Sequence, residues 1–415
     1  SMTSPRVLQA FRAGNRDDGV MENATSPTPS PIRGTYDVVV VGARAAGAAT
    51  AMLLARRGVR VLAIDRSAYG SDTLSTHNIA LAGVLQLSRW DVLDDIRDAG
   101  TPVASTVEFN YGAEKVVLNV PARGDVDGLY SPRRTVLDAT LVDAAVASGA
   151  QVCHGVSLVD VTRDGAGRVN GVVVDDHGTT RTVPARYVVG ADGTRSKVAR
   201  LVGSEKYHED VGAGSIYSYW AGLPSDRIVN FYEVGKAGGI IPTNDGVAVA
   251  WTAISPEDFR HEARGDLAGA HHERIEGLAG LRELLAGARR VGGYRGHPGL
   301  PGYLRRPYGP GWALVGDAGY FKDPVSAHGI TDAFMGAEMV ADALADILRC
   351  GVDETVALSR YGADREMLAA EMMPPVAKVA SLEATLPEVA ESFKAMATAM
   401  RHEFGYLSAK ASPAV

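Results

Sequence analysis

From Tyr36 onward the apolar positions change spacing in a regular way. Val38 to Val41 form a β-branched run suited to a strand covered on both faces. After a glycine turn, small residues from about Ala45 to Arg57 follow a helical pattern that stops at Gly58, and "VRVLAID" returns to a strand. The spacing therefore predicts a strand, helix, strand unit. A second helix is expected over Arg134 to Ser148, then strands in "GAQVCHGVSLVDVTRD", "RVNGVVVDD" and "ARYVVGADG". Between Tyr207 and Ala253 short alternating runs are punctuated by "AGLPSDR", "GKAGG" and "TNDG", the signature of a mostly antiparallel sheet. The earlier stretch "STVEFNYGAEKVVLNV" reads as a hairpin of that same sheet. "GWALVGDAG" resumes the first pattern and runs into a helix near Thr331 to Leu348, and the tail from Asp353 is helical with an expected break at Pro374 and Pro375.

These elements predict an α/β chain: a Rossmann-like nucleotide-binding domain over residues 36–100, 133–205 and 295–350, with a substrate-binding, mostly antiparallel β-sheet domain inserted at 101–132 and 206–294. A helical C-terminal tail covers 351–415. Residues 1–35, with "NATSPTPSPIRG", are rich in Pro, Ser and Thr without apolar periodicity, and read as a disordered arm lacking the apolar stretch of a secretory signal.

Composition narrows the function. The net charge of −7 over 415 residues, with no Lys/Arg cluster, argues against a nucleic-acid surface. Cys153 and Cys350 are too few and too distant in sequence for a disulfide framework or zinc site, which fits a reducing, cytoplasmic setting. The apolar runs stop short of a membrane span. The expected partner is a small organic molecule, and the chain is expected to act as a monomer or homodimer.

Three motifs carry chemistry. The first is Gly42-Ala43-Arg44-Ala45-Ala46-Gly47, with Asp65 closing the next strand at about the spacing expected of an acid that grips a ribose. Gly42 makes the turn, Gly47 admits close helix–strand approach, and the helix start offers free N–H groups to a pyrophosphate. Arg44 replaces the usual middle glycine, removing one backbone approach while offering a guanidinium for a charge-assisted phosphate bond. The second motif, "VVGADGTRSKVAR", ends a strand at Asp192-Gly193 before a helix starts around Thr194 to Ser196. In the third, Gly316-Asp317 ends a strand, a loop holds Asp323-Pro324 and His328-Gly329, and a long helix begins. Singly, each acid also reads as a cap or turn residue; together and in order, the three motifs point to a dinucleotide.

As a set they resemble the flavoprotein monooxygenases of the p-hydroxybenzoate hydroxylase type, a superfamily that also holds geranylgeranyl reductases and flavin-dependent halogenases. The resemblance covers about Asp37 to Leu348. It implies FAD, with NADPH or NADH as reductant. The implied cofactor contacts at the AMP and phosphate end are Gly42, Ala43, Arg44, Ala46, Gly47, Asp65 and Arg66. Arg134 in "RRTVLDATL" matches the family's arginine before a Leu-Asp pair, and Asp192 with Gly193 matches the motif linked to both FAD and NAD(P)H. Gly316 and Asp317 would meet the ribityl chain, while Pro324, Gly329 and Ile330 would face the flavin. A helix start at the pyrimidine edge stabilises the anionic reduced ring.

His77 in "DTLSTHNI" and His328 beside the flavin-facing turn are the candidate catalytic residues. Lys322 reads as a solvated charge. Tyr217, Tyr219, Trp220, Phe231, Tyr232 and Trp251 alternate along these strands, and Tyr217, Tyr219, Phe231 and Trp251 among them are expected to line an aromatic substrate cavity, although core packing explains half of the six equally well. No metal-ligand cluster stands out. Halogenation is disfavoured, because "WTAISP" only partly matches the halogenase tryptophan signature and "DRSAYGSDTLSTHNI" has no lysine. The resulting expectation is an FAD-dependent monooxygenase that uses NAD(P)H and dioxygen to hydroxylate or epoxidise a small cyclic or aromatic substrate, plausibly in secondary metabolism. Alternatives are an FAD-dependent reductase or dehydrogenase acting on a carbon–carbon bond without oxygen insertion, and a non-catalytic flavin-binding redox module.

Overall fold

Strand Tyr36–Val41 sits at the centre of a parallel sheet, and its valines are buried on both faces. The computed structural model describes residues 32–411. Strand Val61–Asp65 pairs with one side of the central strand and Thr179–Gly190 with the other, and the sheet extends in parallel to Gln151–His154 and Trp312–Leu314. The lower half of Thr179–Gly190 joins an antiparallel layer with Val156–Arg163 and Val169–Asp176. Helix Ala45–Arg56 covers the central strand, and Ala48, Ala49 and Ala51 are fully buried beneath the long helix Gly329–Cys350. The fold is thus the mixed α/β, Rossmann-type arrangement expected. The expected arm lies mostly outside the described residues, and Ile32 at its end is buried in the core.

The second sheet has seven strands in the order Arg289–His297, Gly214–Ala221, Val247–Ile254, Lys236–Thr243, Arg227–Glu233, Thr106–Tyr111 and Glu114–Asn119. All neighbours are antiparallel except Thr106–Tyr111 with Arg227–Glu233, which run parallel. The period of two divides this sheet into two faces. Val229, Ile240, Ala248 and Ala250 pack on helices Leu267–Glu276 and Ala279–Leu285. Tyr217, Tyr219, Tyr232, Ile241 and Trp251 lie on the opposite face with the C-terminal helices.

The tail departs from expectation at its prolines. Helix Glu354–Ala380 runs through Pro374 and Pro375, and the chain turns only afterwards, where Leu382 has φ 58°. Proline removes the N–H partners of the Ala370 and Glu371 carbonyls, but both residues are exposed, which leaves them open to solvent. Met372, Met373 and Val376 are buried and hold the helix in place. The last helix, Leu386–Ala411, returns across the second sheet.

The glycine turn holds the closest glycine contact among the described residues, at Gly47. A methyl group at Gly47 would lie 1.7 Å from the Gly42 carbonyl oxygen, and Gly42 itself has φ +100° with its missing Cβ 2.3 Å from the Ala191 oxygen. Gly47→Ala is therefore expected to destabilise the chain by about 1–3 kcal/mol or more, the cost of overpacking a rigid contact, as measured by urea unfolding.

Candidate cofactor and substrate site

The three motifs converge on the start of helix Ala45–Arg56. Gly42 abuts the backbone of Ala191 and Asp192, and a methyl at Gly316 would touch the Ala46 side chain at 3.0 Å. Asp65 accepts hydrogen bonds from the N–H groups of Ala43, at 2.8 Å, and Ser67, at 2.7 Å, which shapes the turn. Each carboxylate oxygen retains a lone pair for a hydroxyl. Arg66, next in sequence, is exposed. Helix Ala45–Arg56 has no side-chain bond from its N-cap residue, and apart from the Ala45 N–H, which Asp138 takes, its first-turn N–H groups remain available to an anion.

Asp138, which the sequence reading passed over, organises this region. Its Oδ1 accepts from the Ala45 N–H at 3.1 Å and from both Nε and Nη2 of Arg134, at 3.1 and 2.9 Å. Its Oδ2 accepts from Arg44 at 2.9 Å. Arg44 also donates to the Ser71 carbonyl and hydroxyl. The guanidinium expected to reach a phosphate is thus held by protein acceptors beside the helix start, and its role there is structural as well as electrostatic. The signal lay in "RRTVLDATL": Arg134 and Asp138 are four apart on one helix face. In the second motif the Asp192 carboxylate caps helix Lys197–Leu201, accepting from the N–H groups of Lys197 and Val198, while Gly193 takes φ +77°.

At the third motif the half-buried Asp317 carboxylate has no hydrogen-bond partner among the described residues. Burial and the nearby Asp332 charge push its pKa up to about 6, against the pull of Arg134 and Lys322. A polar group desolvated without a partner is suited to a ligand hydroxyl. The following loop is tied down at several points. Asp323 accepts from the Ala213 N–H at 2.6 Å and caps the turn Pro324–Ser326 through Val325. Ala327, a non-glycine residue at φ 49°, offers its carbonyl to Asn78 at 3.0 Å, and Thr331 accepts from the Ala80 N–H at 3.0 Å. Backbone strain at such a turn persists only where surrounding contacts fix it. Gly329 and Ile330 then open the long helix.

His77 lies in the segment stapled to this loop. It is 1% exposed, has φ 71°, and its Nε2 is 2.8 Å from the Tyr219 hydroxyl, while Nδ1 has no partner. Burial, reinforced by Arg134, Arg133 and Arg295, lowers its pKa to about 3, so the ring is neutral at physiological pH. Arg133 stacks over the Tyr219 ring at 4.3 Å, and the Tyr217 hydroxyl accepts from the Ser75 N–H at 3.2 Å.

His328 is fully buried, and so is Lys322, whose side chain is 2% exposed, contrary to the expectation of a solvated charge. Lys322 pairs with Asp332, and His328 lies 3.2 Å from Asp332 and 2.9 Å from Glu403 of the last helix. His328, Asp332 and Glu403 present ligand atoms within 4.8 Å of one another, but the Lys322 ammonium already occupies this cluster as its cation.

Beyond the Pro324–Ala327 turn opens a cavity of about 1120 Å³. One wall is the second sheet, with Phe109, Tyr232, Ile241 and Trp251; the other is helix Leu386–Ala411, with Phe393, Met396, Met400 and Phe404. Of the four aromatic residues expected to line it, Trp251 does so. Tyr217 and Tyr219 share its face but lie toward His77. Phe231 does not: it packs on the opposite face against Gly280, where a methyl would meet its ring at 2.4 Å. The alternation is one residue out of phase, and Tyr232 takes the expected place.

The family pattern described as FAD binding domain matches residues 35–271. The chain belongs to the FAD binding domain family. Within it, the chain is 30% identical over 327 residues, 71% of its length and 72% of the relative's, to the menaquinone reductase of Mycolicibacterium smegmatis. It is 26% identical over 347 residues to the digeranylgeranylglycerophospholipid reductase of Methanocella arvoryzae, covering 81% of this chain and 84% of that one. Two solved structures share the fold. PqsL of Pseudomonas aeruginosa, in complex with 2-aminobenzoylacetate, superposes with a TM-score of 0.73 at 21% identity, covering 87% of this chain and 100% of that one. The myxobacterial chondrochloren halogenase CndH superposes with a TM-score of 0.73 at 23% identity, covering 82% and 83%. This FAD binding domain protein is an FAD-dependent oxidoreductase.

The geometry fits the cofactor, with a glycine turn at one end and an unpartnered Asp317 carboxylate and second helix start at the other. Asp138→Ala removes the buried acceptor shared by two half-buried arginines. It is expected to cost about 1–3 kcal/mol in denaturant unfolding, and to weaken FAD uptake, read by quenching of flavin fluorescence.

Proposed function

We propose that the protein reduces a carbon–carbon double bond in a large, mostly apolar organic substrate, using FAD with NADPH or NADH as the electron source. The cavity carries this reading. Small-molecule sites usually enclose about 300–1000 Å³, and this one exceeds that range while presenting mainly aliphatic and aromatic walls. A single aromatic ring would leave most of it unfilled. The names of the two curated relatives, both reductases and one acting on a digeranylgeranyl lipid, support the same chemistry.

When bound and reduced by NAD(P)H, FAD would supply a hydride, with the balancing proton taken from solvent, and the chain's own residues would hold the reactants. The free N–H groups at the start of helix Ala45–Arg56 would bind the phosphates, with Arg44 and Arg134 fixed beside them by Asp138. Asp317 would accept a hydrogen bond from a ribityl hydroxyl, and the Gly329–Ile330 helix start would face the pyrimidine edge. Asn78 and Asp323 set the turn against which the substrate lies, while Phe393, Met396 and Met400 keep water from it. The same architecture supports a second reading, oxygen insertion, which the p-hydroxybenzoate hydroxylase resemblance and the fold shared with PqsL favour.

Two measurements test the proposal. Turnover under strict anaerobiosis, with product two hydrogens heavier than substrate, is expected; product carrying label from isotopic dioxygen would overturn it in favour of oxygenation. Ala397→Trp, on the cavity wall, is expected to raise KM for a long-chain substrate by about tenfold or more while leaving the flavin spectrum unchanged, since roughly 1.4 kcal/mol of lost binding is tenfold. An unchanged KM would mean that the substrate does not occupy this cavity.

A further inference from the structure

The helix that walls the cavity also reaches the flavin-facing turn. Met400 and Phe404 of helix Leu386–Ala411 line the cavity, while Glu403 between them turns inward, its side chain 3% exposed, toward His328. His328 is the residue immediately before helix Gly329–Cys350, the helix whose start would face the cofactor in the function proposed above. The carboxylate and imidazole are 2.9 Å apart, but poorly aligned for a hydrogen bond, so the contact is chiefly one of charge. Lys322 and Asp332 complete a buried group of two potential cations and two anions, and Tyr320 and Arg365 line the same small space. Burial alone would discharge the imidazole. Glu403, with Asp332, outweighs both burial and the repulsion of Lys322, and His328 is raised to about 9.

A buried ion pair is weak as a source of stability, because desolvation opposes its attraction. Its position here suits another task. We infer that Glu403 is a positioning residue that, from the cavity-wall helix, holds His328 as an imidazolium at the start of the flavin-facing helix, so that the positive charge there depends on the wall being in place. The charge adds to the helix start, and both stabilise an anionic reduced ring. Without the Glu403 charge, His328 is left with Asp332 alone, which it shares with Lys322, and burial then favours the neutral ring. The cofactor's readiness to accept electrons is thereby tied to a residue of the cavity-wall helix. This rests on FAD lying against the Pro324–Ile330 turn, and holds whichever reaction the site runs.

The test uses Glu403→Gln, nearly the same shape without the charge, and the parent chain. In the flavin-free parent, NMR of isotopically labelled histidine should show one buried imidazole protonated up to about pH 9. In Glu403→Gln that titration should fall to or below the ordinary histidine value of about 6.5. With FAD bound, the midpoint potential of the variant should be more negative than that of the parent at pH 7. A parent imidazole titrating at the ordinary value overturns the inference, even if the variant cannot be folded. So does a folded variant whose flavin potential matches the parent's. Because the histidine titration needs neither cofactor nor turnover, its outcome is separable from failure of the proposed reaction.

Discussion

Close approach without side chains is the constraint on which the rest of this structure depends. Gly42, Gly47 and Gly316 bring the ends of three strands against the first turn of one helix, and at each a single methyl would meet another atom of the three motifs at 3.0 Å or less. Contacts this short allow no slack, because packed interiors transmit displacement instead of absorbing it. The phosphate-facing helix start and the Asp317 carboxylate are therefore set relative to one another by backbone geometry. Side chains then refine the arrangement, and Asp138 does so by joining two arginines to the helix start.

The two halves of the site obey different physics. The nucleotide end is polar and carries its charge on paired groups, Arg44 and Arg134 with Asp138. The cavity end is mainly apolar; the buried Asp323 on its lining is held by the Ala213 and Val325 N–H groups, and Lys322, His328, Asp332 and Glu403 behind it are balanced among themselves. Separating charge from the reacting volume in this way leaves room for an apolar substrate without exposing it to unpaired ions.

Much of this was legible in the sequence, and the failures have specific causes. The valine run, the glycine turn and the order of the three motifs predict the parallel sheet and the convergence of its loops, because those features depend on local spacing. Phe231 was misassigned because a strand's two faces differ by one residue, and nothing in "NFYE" says which face meets the cavity. Pro374 and Pro375 do not break their helix, because buried neighbours on the next turn outweigh two lost hydrogen bonds. The burial of Lys322 was hidden, because the group it joins through its partner Asp332 also holds His328 and is closed by Glu403, on a helix far along the chain. Asp138 was within reach: an acid four residues after an arginine on a helix marks a pair, but its second partner, Arg44, follows only from the fold.

One pairing in the second sheet bears on how the protein is made. Thr106–Tyr111 lies parallel to Arg227–Glu233, a strand that leaves the ribosome long after it. Until that later segment arrives, the early hairpin has no neighbour on its inner edge, and its apolar side chains, Val107 and Phe109 among them, stay uncovered. Non-local parallel pairing of this kind is slow and invites association with other chains. The substrate chamber is consequently among the last parts of the molecule to exist, and a growing polypeptide acquires its nucleotide turn well before it has anywhere to hold a reactant.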